Sequence, residues 1–271
     1  MTRGRILITG AGSGIGRACA LYLADEGFHI IAAGRRREPL EKLQAERPGA
    51  ISITTFDVTD PESIEQAIPE ISPVDGLVNN AGVAVMGPIE GVPLEEWRRQ
   101  FETNVFGVAN MCRAVLPQMR QRGEGRIVNI GSVTGRLVPP FQGVYGASKH
   151  ALEGLNDALR RELRPFGIKV SLIRSGFVNT GFGEQEQESL KRHRMEAYGA
   201  WHDRYARWHL EKGHKVAPDP VVVAREVEKA LTDPNPRTRY ACPASAKRFL
   251  LMRAILPAKM VDRMIERTIM S

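Results

Sequence analysis

A short apolar run over residues 5–9 breaks into the turn Gly10-Ala11-Gly12-Ser13-Gly14-Ile15-Gly16 and then into a helix-like stretch from residue 14. Glycines at a strand-to-helix turn allow backbone conformations and close approaches that a Cβ would forbid. The helix that follows aims its unpaired amides and the positive end of its dipole across the sheet edge. Such a turn belongs to a βαβ unit, and the rest of the chain keeps that rhythm. Strand-like runs cover residues 5–9, 29–33, 51–57, 76–79, 125–132, 169–174 and 239–241, and amphipathic runs cover 14–26, 38–47, 61–71, 94–122, 144–166 and 221–231.

The chain has 271 residues, 42% of them hydrophobic, with no internal repeat and no low-complexity linker. These features predict one α/β domain over residues 1–271, a Rossmann fold: a doubly wound parallel sheet of about seven strands with helices on both faces. No run of about 18 apolar residues is present, and the start, Met1-Thr2-Arg3-Gly4-Arg5, carries no apolar leader. Cys19, Cys112 and Cys242 are odd in number and far apart, so they read as free thiols of a reducing, cytoplasmic setting. The six histidines show no metal-type spacing, and no metal is expected. The net charge of +7 reads as solvated surface plus a phosphate pocket, because no nucleic-acid-binding motif accompanies it.

The glycine turn is suited to a pyrophosphate, with Gly10, Gly12, Ser13, Gly14, Ile15 and Gly16 as the candidate contacts. The end of the second strand reads Ala32-Ala33-Gly34-Arg35-Arg36, with no carboxylate before Glu38. An acidic residue there would accept from a ribose 2′-hydroxyl, whereas the planar fork of Arg35 suits a 2′-phosphate. NADP(H) is therefore expected in preference to NAD(H).

Further along, Tyr145 and Lys149 stand four apart, on one face of a predicted helix, with Ser132 upstream. A free phenol has a pKa of about 10, and a neighbouring ammonium is expected to lower it toward the working range. A proton-exchanging phenol, a hydroxyl and a nucleotide site together make an apparatus for hydride transfer between a carbinol and a carbonyl.

With these residues assembled, the chain resembles the short-chain dehydrogenase/reductase family over nearly its whole length. Thr9-Gly10 through Gly14-Ile15-Gly16 matches the cofactor motif, Asn79-Asn80-Ala81-Gly82 the motif beside the adenosine, and Asp57-Val58 the pair at the adenine. Asn104, Ser132, Tyr145 and Lys149 match the catalytic tetrad. The resemblance implies that Tyr145 exchanges the proton and that Lys149 lowers its pKa and binds the nicotinamide ribose. It further implies that Ser132 polarises the substrate oxygen, and that Asn104, at a helix kink, holds a water. Gly176, Val178 and Thr180 match the loop at the nicotinamide carboxamide, although Ser175 replaces the usual proline, which is expected to loosen that loop.

Residues 145–182 and the tail are similar to the branch of retinol dehydrogenases and 17β-hydroxysteroid dehydrogenases. That similarity implies lipophilic alcohols and carbonyls, steroid- or retinoid-like or aromatic, in a pocket of Val138, Phe141 and Phe182. An insertion over 183–217, with Tyr198, Trp201, Tyr205 and Trp208, would serve as its lid. A reductase of small 3-hydroxy acids, with Arg136 or Arg174 holding a carboxylate, and a non-catalytic nucleotide sensor are the other readings. The basic, amphipathic segment 245–271 is read either as packed on the body or on a partner subunit, or as lying weakly on a membrane surface, and a homodimer or homotetramer is expected.

Overall fold

The structure, a computed structural model, describes residues 3–214 and 216–270. Its centre is a seven-stranded sheet in the order β3-β2-β1-β4-β5-β6-β7, with every pairing parallel. The strands are β1 (Arg5–Thr9), β2 (His29–Gly34), β3 (Ile51–Thr55), β4 (Gly76–Asn79), β5 (Gly125–Ser132), β6 (Ile168–Ser175) and β7 (Arg239–Cys242). Strand order reverses between β1 and β4, which opens a crevice at the carboxyl ends of the strands.

Side chains alternate along each strand, so one sheet serves two cores. Ile6 and Ile8 of β1 face α1 (Gly14–Asp25), α2 (Arg37–Glu46) and α9 (Val221–Thr232). Leu7, between them, faces α3 (Pro61–Ile71), α5 (Gly107–Arg122) and α6 (Gly143–Leu163). The run expected as one helix over 94–122 is interrupted. α4 (Leu94–Phe101) passes into a π-turn at Glu102–Phe106 before α5 begins. Such turns widen a helix by one residue and often occur at functional sites.

Late in the chain come α7 (Phe182–Arg192), α8 (Gly199–Trp208) and a π-turn at His209–His214. α10 (Ala244–Ile255) and α11 (Ala258–Met270) follow β7, and Ile265 and Ile269 of α11 pack in the aromatic cluster that includes Tyr205 of α8. Among the described residues no helix is long and apolar enough to cross a membrane. The three cysteines are free and buried.

α6 is fixed by buried polar contacts as well as by apolar packing. Asn79 donates to Asn129 at 2.9 Å and Asn129 donates to Asn156 at 2.9 Å, which links β4, β5 and α6. One turn nearer the site, Glu153 accepts from Arg174 at 2.6 Å and 3.0 Å and from Arg239 at 2.9 Å, which ties α6 to β6 and β7. Burial pushes the Glu153 carboxyl upward, but the two guanidinium partners outweigh that effect and hold it below the usual range. Glu153→Gln leaves two arginines without their carboxylate and should lower the unfolding free energy by about 3 kcal/mol at neutral pH. Because the native carboxyl is the more acidic, its contribution is full above pH about 4.3 and is lost as pH falls through the native value. Urea unfolding of both proteins should therefore show the gap shrinking in acid; a pH-independent gap would contradict the pairing.

Candidate active site

The carboxyl edge of the sheet opens into a cavity of about 550 Å³ that runs from Arg35 and Arg36 at one end to Trp208 and Phe249 at the other. Near the first end the turn after β1 approaches β4 closely. Gly10 has φ +65°, and a Cβ there would lie 2.9 Å from the Ala81 Cα. Asn80 locks this approach by donating to the carbonyls of Thr9 and Gly10 at 2.9 Å and 3.2 Å. No side chain caps α1 at Ser13 and its first turn has no acidic residue, so its leading amides are available to an anion. Gly10, Gly12, Ser13, Gly14 and Ile15 line the cavity, as do Arg35, Asp57, Val58, Ala81 and Gly82. Anion donors at one point and a basic pair at the strand end are the donor set a phosphorylated dinucleotide requires.

Two expected contacts lie elsewhere. Gly16 is absent from the cavity wall, and a Cβ on it would meet Asn80 and the Gly10 carbonyl, so the position has no room for a side chain. Asn79 is also off the wall, buried in the asparagine chain to Asn129, while its neighbour Asn80 lines the cavity.

The middle of the cavity is built by β5, α6 and the π-turn. Asn104 sits inside the π-turn and clamps Val83, accepting from its N–H at 2.9 Å and donating to its carbonyl at 3.0 Å. Its amide also donates to Ser148 Oγ of α6 at 3.3 Å. At the end of β5, Ser132 Oγ accepts from the Thr134 amide at 3.1 Å and the Thr134 hydroxyl at 2.8 Å, leaving its own proton free to donate. One turn of α6 separates Tyr145 from Lys149, whose Nζ stands 5.7 Å from the phenol ring centroid and donates to the Ile130 carbonyl at 2.9 Å.

The electrostatics differ from the sequence expectation. Burial pushes the Tyr145 phenol above its ordinary value, the negative charge of Glu186 adds to this, and the hydrogen bond with Ser132 opposes it. Lys149 does not pull the phenol down; instead burial lowers Lys149 itself to about 8. Desolvation of two buried groups outweighs their mutual attraction.

The nicotinamide-side loop is tied down despite Ser175. Gly176 donates to the Cys242 carbonyl at 2.8 Å, and the Ser175 hydroxyl donates to the Gly176 carbonyl at 3.0 Å. The serine thus supplies a hydrogen bond where proline would have supplied a fixed backbone angle. Gly176, Val178 and Thr180 all line the cavity.

The far end is apolar, but its wall is not the expected one. Phe182 is present, with its ring 6.2 Å from that of Tyr145. Val138 is instead 37% exposed and packs on Gly146, and Phe141 faces away from the cavity. Phe141 holds a left-handed φ of 62° and turns its ring onto Tyr198, His202 and Tyr205. Of the four aromatics in the insertion, Trp208 lines the cavity, while Tyr198, Trp201 and Tyr205 pack in the cluster behind it. Phe177, Phe249 and Leu137 complete the wall. Phe177 lies between Gly176 and Val178 and Phe249 lies on the tail helix, so no local pattern marks either of them.

Arg136 and Arg174 do not reach the cavity: Arg136 is exposed, and Arg174 is bound to Glu153. Glu186 and His214 line it, and with His209 they bring ligand-capable atoms within 4.8 Å of one another. Sequence spacing shows no such cluster, because helix α8 separates the carboxylate from the imidazoles.

The family model for short chain dehydrogenases matches residues 5–191, which include the glycine turn, Asn104, Ser132, Tyr145 and Lys149. The chain belongs to the short-chain dehydrogenase/reductase family. A 3-ketodihydrosphingosine reductase of Bacteroides thetaiotaomicron is 44% identical over 188 residues, which is 68% of this chain and 67% of that protein. Human retinol dehydrogenase 5 is 34% identical over 280 residues, 96% of this chain and 87% of the relative. The crystal structure of a short-chain dehydrogenase from Streptomyces avermitilis superposes with a TM-score of 0.81 at 33% identity, over 97% of this chain and 95% of that one. The protein is thus an oxidoreductase of this family, near its retinol dehydrogenase branch, that acts on CH–OH groups.

Buried Lys149 gives the cofactor-free oxidoreductase a pH signature. With a native value of about 8 against about 10.4 in the unfolded chain, the unfolded state holds the extra proton between those limits. The penalty of burying the cation is therefore relieved as pH rises through that window. Relative to Lys149→Met, the wild type should gain stability from pH about 8 to 10 in urea unfolding. Parallel curves would show that the ammonium is not desolvated.

Proposed function

We propose that this short-chain dehydrogenase/reductase is an NADP(H)-dependent enzyme that interconverts a lipophilic ketone or aldehyde and its alcohol. The observation that carries the reading is the wall of Phe177, Phe182, Trp208 and Phe249 meeting Ser132 and Tyr145 in one cavity. An apolar chamber that converges on a few polar groups selects for hydrophobic bulk and orients one oxygen.

In this reading Ser132 donates to the substrate oxygen and fixes the carbonyl against Tyr145. The phenol stays protonated at neutral pH, because burial raises its pKa, which suits it to give its proton to the oxygen during reduction. Lys149, easily deprotonated at about 8, is placed to return that proton. Asn104 holds Val83 and Ser148, and so keeps the cavity floor and α6 in register. When bound, the nicotinamide supplies or accepts the hydride, and the chain supplies orientation and proton transfer.

Arg35 and Arg36 support NADP(H) over NAD(H). Both line the adenosine end, and Arg35 also approaches Asp57 at 3.5 Å, which orients the guanidinium across the end of β2. Among the described residues the other lysine or arginine lining the cavity is Lys149, so none of them stands at the substrate end to hold a carboxylate. That arrangement favours lipophilic carbonyls over small 3-hydroxy acids.

The exposed Phe249, Leu251, Ile255, Met260 and Met264 on α10 and α11, beside several basic residues, support weak contact with an anionic membrane surface. Phe249 joins this patch to the cavity mouth. Exposed Phe106 and Phe166, beside the ends of α5 and α6, support pairing with a second copy.

The test is oxidation of NADPH and NADH, in parallel, with apolar ketones, aldehydes and oxo acids. Apolar carbonyls should be reduced with NADPH, and Arg35→Asp should lower the NADPH-to-NADH ratio of kcat/KM by about tenfold or more. Turnover confined to oxo acids, or an unchanged cofactor ratio, would contradict the reading.

A further inference from the structure

One charge stands out of place in the apolar end of the chamber. Glu186 is 5% exposed, yet it lines the cavity among Phe177, Phe182 and Trp208. It lies four residues after Phe182 on α7 and so shares that residue's face, and the Phe182 ring contacts Tyr145 at 6.2 Å between centroids. The carboxylate therefore stands one helical turn from the side chain that touches the proton donor. Its field is felt there, where it raises the phenol.

No lysine or arginine among the described residues pairs with this charge. Among the described residues Glu186 pairs with two imidazoles only, His214 Nε2 at 2.7 Å and His209 Nε2 at 3.8 Å. His209 is fully buried, and neither of its ring nitrogens has a hydrogen-bond partner. Burial lowers it to about 4, so it is a neutral base at physiological pH. The arrangement is built rather than incidental, because Gly183 leaves room for the His214 ring and Gly213 for the Phe177 ring. A Cβ at either position would fall within 3.0 Å of those rings. A buried carboxylate with an unpartnered neutral imidazole behind it and aromatic rings around it is a receptor for a cation carrying N–H donors.

We infer that Glu186 is the substrate-recognition residue for an ammonium group, and that the natural substrate is an amphiphile with an amine within a few bonds of its reacting carbonyl or carbinol. This inference rests on the proposed lipophilic-carbonyl reading and narrows it. The chain of such an amphiphile lies along Phe177, Trp208 and Phe249 while the amine meets Glu186 and the carbonyl meets Ser132 and Tyr145. The same carboxylate repels oxo acids, and no lysine or arginine among the described residues lines this end of the cavity.

The experiment compares a long-chain 2-aminoketone with the ketone of equal length that lacks the amine, using wild type, Glu186→Gln and Glu186→Asp. Wild type should prefer the aminoketone in kcat/KM by at least about 30-fold, chiefly through KM. The preference should collapse toward unity in Glu186→Gln and be partly restored in Glu186→Asp. Using a ratio cancels any general loss of folded protein, and the wild-type comparison alone decides the matter if the variants do not fold. Equal turnover of the two ketones by wild type, or a ratio unmoved by Glu186→Gln, overturns the inference. If neither ketone reacts, the lipophilic-carbonyl reading fails. Calorimetric binding of decylamine against decanol then decides the ammonium claim, with tighter amine binding by wild type supporting it and equal binding overturning it. Stoichiometric binding of zinc chloride that is lost in Glu186→Gln and displaces decylamine would assign the cluster to a metal and also overturn it.

Discussion

The seating of helix α6 on the sheet is the constraint on which the rest of this structure depends. Apolar packing by Leu152, Leu159 and Leu163 sets the helix against the sheet but leaves its register free to slide. Directional bonds remove that freedom: the Asn79–Asn129–Asn156 chain, the Glu153 clamp on Arg174 and Arg239, and the Lys149 bond to the Ile130 carbonyl. Buried polar chains are costly unless fully paired, so each bond penalises any other register. The result places Tyr145 and Lys149 at the carboxyl end of β5, beside Ser132, with about a turn of helix between them. The π-turn that carries Asn104 completes the seat through Ser148.

The chamber built on that seat is graded in charge. Its adenosine end is basic and open, through Arg35 and Arg36, and its middle carries the buried phenol and ammonium. Its far end is largely apolar but carries Glu186 and His214. Burial governs the middle. Both ionisable groups are driven toward their neutral forms, the phenol upward and the ammonium to about 8, so the site holds a proton on tyrosine and a ready exchange partner on lysine. In the proposed reaction, that is the state from which a carbonyl is reduced.

Much of this was legible in the sequence because it is encoded locally. The glycine turn, the alternation of strands and helices, and the Tyr145–Lys149 spacing each lie within one element or one connection, where periodicity and backbone sterics act directly. The substrate end was not legible in the same way. Phe177, Glu186, Trp208 and Phe249 come from a loop and three helices, and each has an unremarkable local context. Phe141 and Val138 sit in the stretch that approaches the site, yet the left-handed backbone at Phe141 turns its ring onto Tyr198, His202 and Tyr205, and Val138 lies over Gly146. The depressed phenol expected from helical spacing also failed, because spacing reports proximity to Lys149 and says nothing of desolvation. The Glu186–His209–His214 cluster was hidden for the same reason, since helix α8 lies between partners that meet only in three dimensions.

The central claim is that Tyr145 gives the proton in a site whose nucleotide binding is independent of it. The most direct measurement is a paired one on Tyr145→Phe, fluorescence titration with NADPH and single-turnover reduction of an apolar ketone. The account predicts NADPH binding within about threefold of wild type and a reduction rate lower by about a thousandfold or more. A variant that binds NADPH normally and still reduces the ketone at a rate near wild type would show that the proton comes from elsewhere, and the account would fall.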